Sequence, residues 1–142
     1  MALNLTKTNL KAQAEDGYEF ELLIPETNDP TDGFVKVRGS MSEVVQNFAR
    51  KKYRERQQKE DAWKRNTRNH NKDFPEMTLE EAEEFSIESA SIRVLGWRNI
   101  ELEEGNPLEF NAENLQKVLK DHSWIRTQII EQSDSVANFT KS

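Results

Sequence analysis

Two short segments near the start of the chain have the pattern of β-strands. Residues 18–24 (YEFELLI) alternate between two sides, one of them apolar, as expected for a half-buried strand, and residues 34–38 (FVKVR) form a second such segment. The residues between them, 25–33, are rich in Pro, Asn, Asp and Gly and indicate a turn or loop. The pattern predicts an antiparallel hairpin over residues 17–39, which must pack on another element because an isolated hairpin is only marginally stable. Residues 1–16, which show little periodicity, are predicted to be a loose arm.

A long helix is predicted over residues 40–66. Ser40 and Glu43 have the spacing of a capping box, in which the two side chains satisfy free backbone amides at a helix start. Apolar residues repeat at helical spacing only in the first three turns, whereas residues 50–61 (RKKYRERQQKED) are polar on every face and cannot pack on a core. Residues 67–77 are predicted to be a linker.

The segment 78–142 is predicted to be helical, with a short β turn within it. A second capping box, at Thr78 and Glu81, opens a helix that should end near Gly96. The apolar face of this helix should begin at Leu79, Ala82 and Phe85. Residues 97–102 (WRNIEL) alternate again, which indicates a short strand.

Two further helices should follow this strand. Asn111 is the predicted N-cap of the first, and Ser123 of the second. Their apolar faces consist of Leu115, Val118, Leu119, Ile125 and Ile129. The chain is therefore predicted to be a single domain, residues 1–142, of the mainly helical α+β class. In this domain an N-terminal β-hairpin and a short second β element pack on about four helices.

The composition narrows the class of protein. Apolar residues make up 35% and charged residues 32% of the chain, against usual values of about 45–50% and about 25%, so a modest core is expected. The absence of cysteine excludes a disulfide framework, a thiolate zinc site and a cysteine nucleophile. No apolar run approaches the ~20 residues that span a bilayer, and the N-terminus lacks the apolar region of a secretory signal. A soluble cytoplasmic protein is expected.

Charge is distributed unevenly along the chain. Residues 50–72 contain 10 of the 20 Lys and Arg residues but only 3 of the 26 acidic residues, a net charge of +7 within a chain of net charge −6. Such a chain can pair its own halves, or it can present the basic segment to an acidic partner.

The basic segment therefore has three interpretations: a solvated helix, a surface that binds another protein, or a nucleic-acid site in which cations contact phosphates and aromatic rings stack on bases. The candidate partner-binding residues are Arg50, Lys51, Tyr53, Arg54 and Trp63. Trp63 lies among charged residues, so it is either an exposed interface anchor or a residue that packs under the hairpin or onto a neighbouring copy. Self-association is also expected to be possible, because a small core can leave apolar faces to pair.

Little in the sequence indicates catalysis. The histidines, His70 and His122, lie in the predicted linker and beside a helix cap, where solvated or capping roles are expected. The acidic residues in 80–85 (EEAEEF) suit a helix N-terminus, where the helix dipole favours negative charge, better than a cation site. No phosphate-binding, dinucleotide-binding, hydrolase or metalloprotease motif is present. The expectation is a non-enzymatic protein with no catalytic residue, metal or cofactor.

Residues 85–119 resemble the tail assembly chaperones of long-tailed bacteriophages and prophages. The pattern is a helix ending in V-L-G-W, then R-N-I, a short acidic glycine turn, P-L-E-F, and a helix opening in N-A-E-N-L. Its most characteristic residues are Gly96-Trp97, Pro107-Leu108 and Phe110. The order upstream, an acidic strand ending in Pro25, another strand, and Gly39-Ser40 opening a helix, is also similar.

The resemblance implies a function and its partners. Proteins of this family bind the tape-measure protein, whose long apolar helices would otherwise aggregate, help to recruit tail-tube subunits, and usually leave before the virion is complete. They have no catalytic residues and act in the host cytoplasm. Two rival hypotheses remain: a nucleic-acid-binding regulatory protein that uses residues 50–68, and a structural tail component retained in the virion.

Overall fold

The fold was obtained as a computed structural model, which describes residues 2–6, 9–69 and 71–140. The helices in these residues are α1 (Leu10–Asp16), α2 (Glu43–Lys64), α3 (Leu79–Ser91), α4 (Ala112–Asp121) and α5 (Ser123–Asp134), with short 3-10 turns at Thr67–Asn69 and Val136–Phe139. The strands are β1 (Tyr18–Leu23), β2 (Pro30–Val37), β3 (Val94–Arg98), β4 (Glu101–Glu103) and β5 (Asn106–Pro107). The predicted mainly helical α+β class is confirmed. None of the helices in the described residues is long and apolar enough to cross a membrane.

The main sheet has three antiparallel strands in the order β1-β2-β3. The predicted hairpin is confirmed: β1 and β2 pair with Phe20 opposite Val35. The third strand was not expected here, and the prediction that α3 continues to near Gly96 is wrong. The helix ends at Ser91, and Val94 pairs with Val37 of β2. The apolar spacing of residues 94–96 also suits a helix, but pairing with β2 makes them part of a strand.

The predicted strand over residues 97–102 is split in two. Trp97 and Arg98 complete β3, whereas Glu101 begins β4 of a separate two-stranded ribbon. Asn99 lies between them with a φ of +57°, a left-handed conformation that ends the strand. Its side-chain amide donates to the carbonyl of Asp32 at 2.6 Å, and this bond holds the bend against β2.

The hydrophobic core lies between the main sheet and the last three helices. Its buried members include Phe20, Leu22, Val35, Val37, Ala90, Val94, Leu115, Val118, Leu119, Ile125, Ile129 and Phe139. The predicted apolar faces of α4 and α5 are therefore confirmed. Gln128 of α5 fixes this layer to the sheet, because its side-chain amide both accepts from the Leu23 amide at 2.9 Å and donates to the Leu23 carbonyl at 2.8 Å.

The loose arm predicted for residues 1–16 is wrong where α1 forms. Asn9 caps this helix by accepting from the Ala12 amide at 3.1 Å, and Ala14 is only 1% exposed. A β-carbon added at Gly39 would lie 2.8 Å from the Ala14 β-carbon, so α1 packs closely on the chain just before α2. Tertiary packing therefore orders a helix whose own periodicity is weak.

Two of the four predicted helix caps form. The box at Thr78 and Glu81 forms as predicted, and so does the Asn111 cap, which accepts from the Asn114 amide at 2.8 Å. The box predicted at Ser40 does not form: α2 begins at Glu43, whose amide donates to the Glu15 carboxylate of α1 at 3.0 Å. Ser123 is also not a cap, since it is the first residue of α5 and His122 joins the helix directly to α4.

Candidate partner-binding surface

Helix α2 leaves the domain core after its first turns. Val45 is 5% exposed and Phe48 is half-buried, but no residue from 49 to 64 is fully buried. The chain then contacts this helix again at Phe74, Pro75 and the start of α3. We call the projecting part of the described chain, residues 50–69 and 71–85, the arm.

An inner face of α2 holds the arm together. The rings of Phe48 and Phe85 lie 5.7 Å apart, so α2 contacts α3 near the base of the arm. Lys52 forms ion pairs with Glu88 of α3 at 2.9 Å and with Glu55 at 3.5 Å. The hydrogen bond to Glu88, supported by the nearby negative charges, raises the pKa of Lys52 above its ordinary value.

The predicted linker packs on the same inner face. Phe74 meets the Trp63 ring edge-on, with centroids 5.7 Å apart, and the Arg56 guanidinium lies 4.6 Å from the Phe74 centroid. Arg56 also donates to the Pro75 carbonyl at 3.0 Å. The linker thus folds back along α2 although its sequence has no periodicity.

Four of the five candidate residues are exposed on the other side of α2. At ~100° per residue, Arg50 and Arg54 lie opposite Lys52, and Lys51 and Tyr53 flank them; all four are exposed, Tyr53 to 67%. Arg50 donates to the Asn47 side chain at 2.7 Å. Among the residues that the structure describes, no carboxylate lies within ion-pair distance of Arg50, Lys51 or Arg54. We call the surface that consists of Arg50, Lys51, Arg54 and the adjacent Tyr53 the cationic face.

The fifth candidate, Trp63, is separated from the cationic face. It lies on the inner face of α2, half-buried against Phe74, so it is neither a fully exposed anchor nor packed under the hairpin. Its position shows a role in holding the linker to α2. The sequence signal that would have indicated this is the aromatic residue in the linker, since Phe74 lies in an otherwise polar segment and needs an apolar contact.

The start of α3 forms a second exposed surface on the arm. Leu79 is 90% exposed, Ala82 is exposed and Phe85 is 38% exposed, so the apolar face predicted to begin at these positions does not enter the core. The core contacts of α3 begin later, with Ile87 packed against the core and Ser89 and Ala90 buried. We call Leu79 with the exposed Glu80 and Glu83 the acidic face.

Glu81 belongs to the other side of α3. Its carboxylate accepts from the Thr78 amide at 3.3 Å, and bonds to Thr78 lower the pKa of Glu81 below its ordinary value. The positive charges of Lys59 and Arg56 lower it further. At ~100° per residue, Glu81 lies on the same side of α3 as Glu88, which pairs with Lys52 of α2. The chain therefore pairs part of its uneven charge internally: Lys52 binds Glu88 of α3, whereas no described carboxylate pairs with Arg50 or Arg54.

The described residues offer little for a metal ion. They contain no group of three or more His, Asp or Glu side chains arranged to hold one. His122 is exposed at the junction of α4 and α5, and His70 lies outside the described residues. The non-enzymatic assignment stays a prediction.

The residues that carry the chaperone resemblance form one structural unit. The Trp97 indole donates to the Leu108 carbonyl at 2.8 Å, and its ring meets Phe110 edge-on, with centroids 4.9 Å apart. The β4–β5 ribbon between them returns the chain, and the Leu108 amide donates to the Ile100 carbonyl at 2.8 Å. The spacing of these residues therefore has a structural cause: it joins β3 to the start of α4.

One family model, described as YdaY prophage protein, matches residues 41–142. The match covers well over half of the chain and includes α2, the arm, β3 and the last two helices. No curated protein and no solved structure matched the chain.

Proposed function

The chain belongs to the YdaY prophage protein family, and we propose that it is a non-enzymatic tail assembly chaperone that binds the tape-measure protein and tail-tube subunits during tail morphogenesis. Two observations support this proposal. The family is one of prophage proteins, which agrees with a role in a phage. The segment that resembles tail assembly chaperones, residues 85–119, lies entirely within the matched region.

The observation that carries the proposal is the projecting arm. It exposes the cations and aromatic ring of the cationic face together with Leu79, a large apolar side chain that is 90% exposed. Arginine and tyrosine are enriched where proteins bind one another, and exposed apolar surface such as that of Leu79 is removed from water on binding. The proposed mechanism is reversible shielding of apolar helical segments of the partner, without nucleotide hydrolysis.

The direct test is co-expression with the tape-measure protein expected from a neighbouring gene, followed by solubility and co-purification assays. The expected result is a partner that is insoluble alone but soluble and bound when this chain is present. A partner that stays insoluble and unbound would overturn the chaperone assignment.

A variant pair tests the surface within the same assay. Arg50→Glu with Arg54→Glu should reduce the co-purified partner at least about tenfold, since interface anchors often contribute about 2 kcal/mol or more and about 1.4 kcal/mol is tenfold in affinity. The matched control is Lys117→Glu with Lys120→Glu, which makes the same charge change at exposed positions of α4. Equal loss in both variants would show a general charge effect and exclude the arm as the binding surface.

The proposal includes a location: the host cytoplasm during assembly, with no copy in the mature virion. Mass spectrometry of purified particles tests this, because a structural tail component would be found at a fixed ratio to the tail proteins. Detection at such a ratio would contradict the chaperone proposal and favour the hypothesis of a structural tail component.

In the described part of the chain, three cations of α2 next to Tyr53 have no carboxylate partner, and this favours a nucleic-acid-binding regulator as the second candidate. Three phosphate contacts would give a slope of about −2.7 for log affinity against log salt on duplex DNA. A chaperone that binds only protein should show no saturable DNA or RNA binding. A slope near this value would favour the regulator.

A further inference from the structure

We propose that copies of this chain associate head to tail through their arms, with the cationic face of one copy on the acidic face of the next. The occupant of each face is thus a second copy of the same chain. This contact needs no phage partner, although it uses the same exposed residues of the arm as the proposed partner binding.

The two faces are complementary in charge. Arg50, Lys51 and Arg54 have no carboxylate within ion-pair distance in the described part of the chain, and no described cation pairs with Glu80 or Glu83. Each face therefore has charge that no described residue of its own chain neutralises. Complementary potentials of this kind favour association and fix its orientation.

Each face also includes one exposed side chain with a large apolar surface. Tyr53 flanks the cations and is 67% exposed, and Leu79 lies at the start of α3 and is 90% exposed. A contact that places the tyrosine ring on the leucine would remove both from water while the charges meet around them. The pairing thus has an apolar centre and a charged rim, as stable interfaces do.

The faces point away from each other, which decides the kind of contact. On α2, Arg50 and Arg54 lie opposite Lys52, which binds Glu88 of α3. On α3, Leu79 and Glu83 lie opposite Glu88 at ~100° per residue. The two faces are therefore on opposite sides of the arm. A twofold contact would have to join both faces of one copy to both faces of another, and this arrangement does not allow it. Association is heterologous, so copies can add beyond two.

The experiment is sedimentation of the purified full chain over a range of concentrations and salt. At about 0.01 M salt, where charges act over ~30 Å, the average mass should rise with concentration past twice the 16.6 kDa of one chain. At about 1 M salt, where they act over ~3 Å, it should return toward that of one chain. A single 16.6 kDa species at every concentration in low salt would overturn the proposal.

Two variants separate the faces. Arg50→Ala with Arg54→Ala disables the cationic face, and Glu83→Lys disables the acidic face; each should sediment as one chain. Their mixture retains one intact face of each kind and should form a dimer that grows no further. The matched controls, Lys117→Ala with Lys120→Ala and Glu131→Lys, change exposed charges on α4 and α5 and should associate as the unaltered chain does.

The mixture gives the proposal its sharpest test. A mixture that stays at one chain, or one that grows beyond two, contradicts a head-to-tail contact through these faces. Circular dichroism of each variant confirms that the helices are intact, so that loss of association is not loss of fold. Because no phage protein is present, failure here leaves the chaperone proposal standing, and failed co-purification leaves self-association standing.

Discussion

Replacing Arg93 by alanine should destabilise the domain more than any single change on the arm. Arg93 follows α3 and is only 8% exposed although it is charged. Its guanidinium donates to the Ser133 hydroxyl at 3.0 Å, to the Ser89 hydroxyl at 2.6 Å and to the Ser89 carbonyl at 3.1 Å. It thereby joins the end of α3 to α5. The Ser133 hydroxyl in turn donates to the Arg38 carbonyl at 2.7 Å, which extends the network to the end of β2.

The magnitude follows from these bonds and their burial. Hydrogen bonds to a charged group contribute about 1.5–3 kcal/mol each, but desolvation of the guanidinium offsets a large part. The same desolvation lowers the pKa of Arg93, against the attraction of Asp134. Arg93→Ala leaves the Ser89 carbonyl and the Ser133 hydroxyl without this donor, and a buried polar group that loses its partner costs about 1–3 kcal/mol, so the free energy of unfolding should fall by at least about 2 kcal/mol.

Asp134 provides the internal control. It pairs with Arg93 at 3.3 Å, but its side chain is 53% exposed. Exposed ion pairs contribute about 0–1 kcal/mol, so Asp134→Asn should cost at most about 1 kcal/mol. Urea denaturation measures both variants, and a chain of this size is expected to unfold in one cooperative step. The reasoning is refuted if Asp134→Asn costs as much as Arg93→Ala, because the ion pair and not the buried hydrogen bonds would then dominate.

Three smaller changes test other parts of the structure. Thr78→Ala removes the cap of α3 and should cost about 1 kcal/mol, measured as a lower urea midpoint. Glu81 has a lowered pKa, so its stabilisation is present above the ordinary value of 4.5 and is lost as pH falls through the folded value; Glu81→Gln should be less stable than the unaltered chain at pH 7, and the difference should disappear in acid. Trp97→Phe leaves the Leu108 carbonyl without its 2.8 Å donor and should lower the melting temperature, at a cost of about 1–3 kcal/mol.

Much of the fold was predictable because its signals are local. The alternation in β1, the cap residues Thr78 and Asn111 and the apolar faces of α4 and α5 all act within one or two turns, and all are confirmed. Such signals need no knowledge of what the element packs against. They fix the class of the domain and most of its core.

The errors arose where a distant residue decides the local structure. The Glu43 amide is satisfied by Glu15 of α1 and not by Ser40, so the start of α2 depends on a helix that the local pattern did not show. Val94 enters a strand because Val37 pairs with it. In both cases a residue distant in sequence overrides the local signal.

The candidate surface was predictable in composition but not in arrangement. Charge counting identifies residues 50–72 as basic, and Arg50 and Arg54 are exposed as that implies. It does not separate Lys52, which binds Glu88, from its neighbours, and it does not place Trp63 on Phe74. Those contacts depend on the path of the linker back along α2, which no pattern in the linker sequence specifies.

The arm is held by contacts that are weak in water, and this has a consequence for binding. The side chains of Lys52 and Glu88 are 25% and 47% exposed, so water competes for both charges and their ion pair contributes little to stability. The rings of Trp63 and Phe74 add a contact that is only half-buried, and no residue from 49 to 64 is buried in the core. Segments with few buried apolar contacts open at lower free energy than core elements. We therefore expect that the proposed partner can rearrange the arm without unfolding the sheet and α5, which would let one surface meet apolar segments of different sequence.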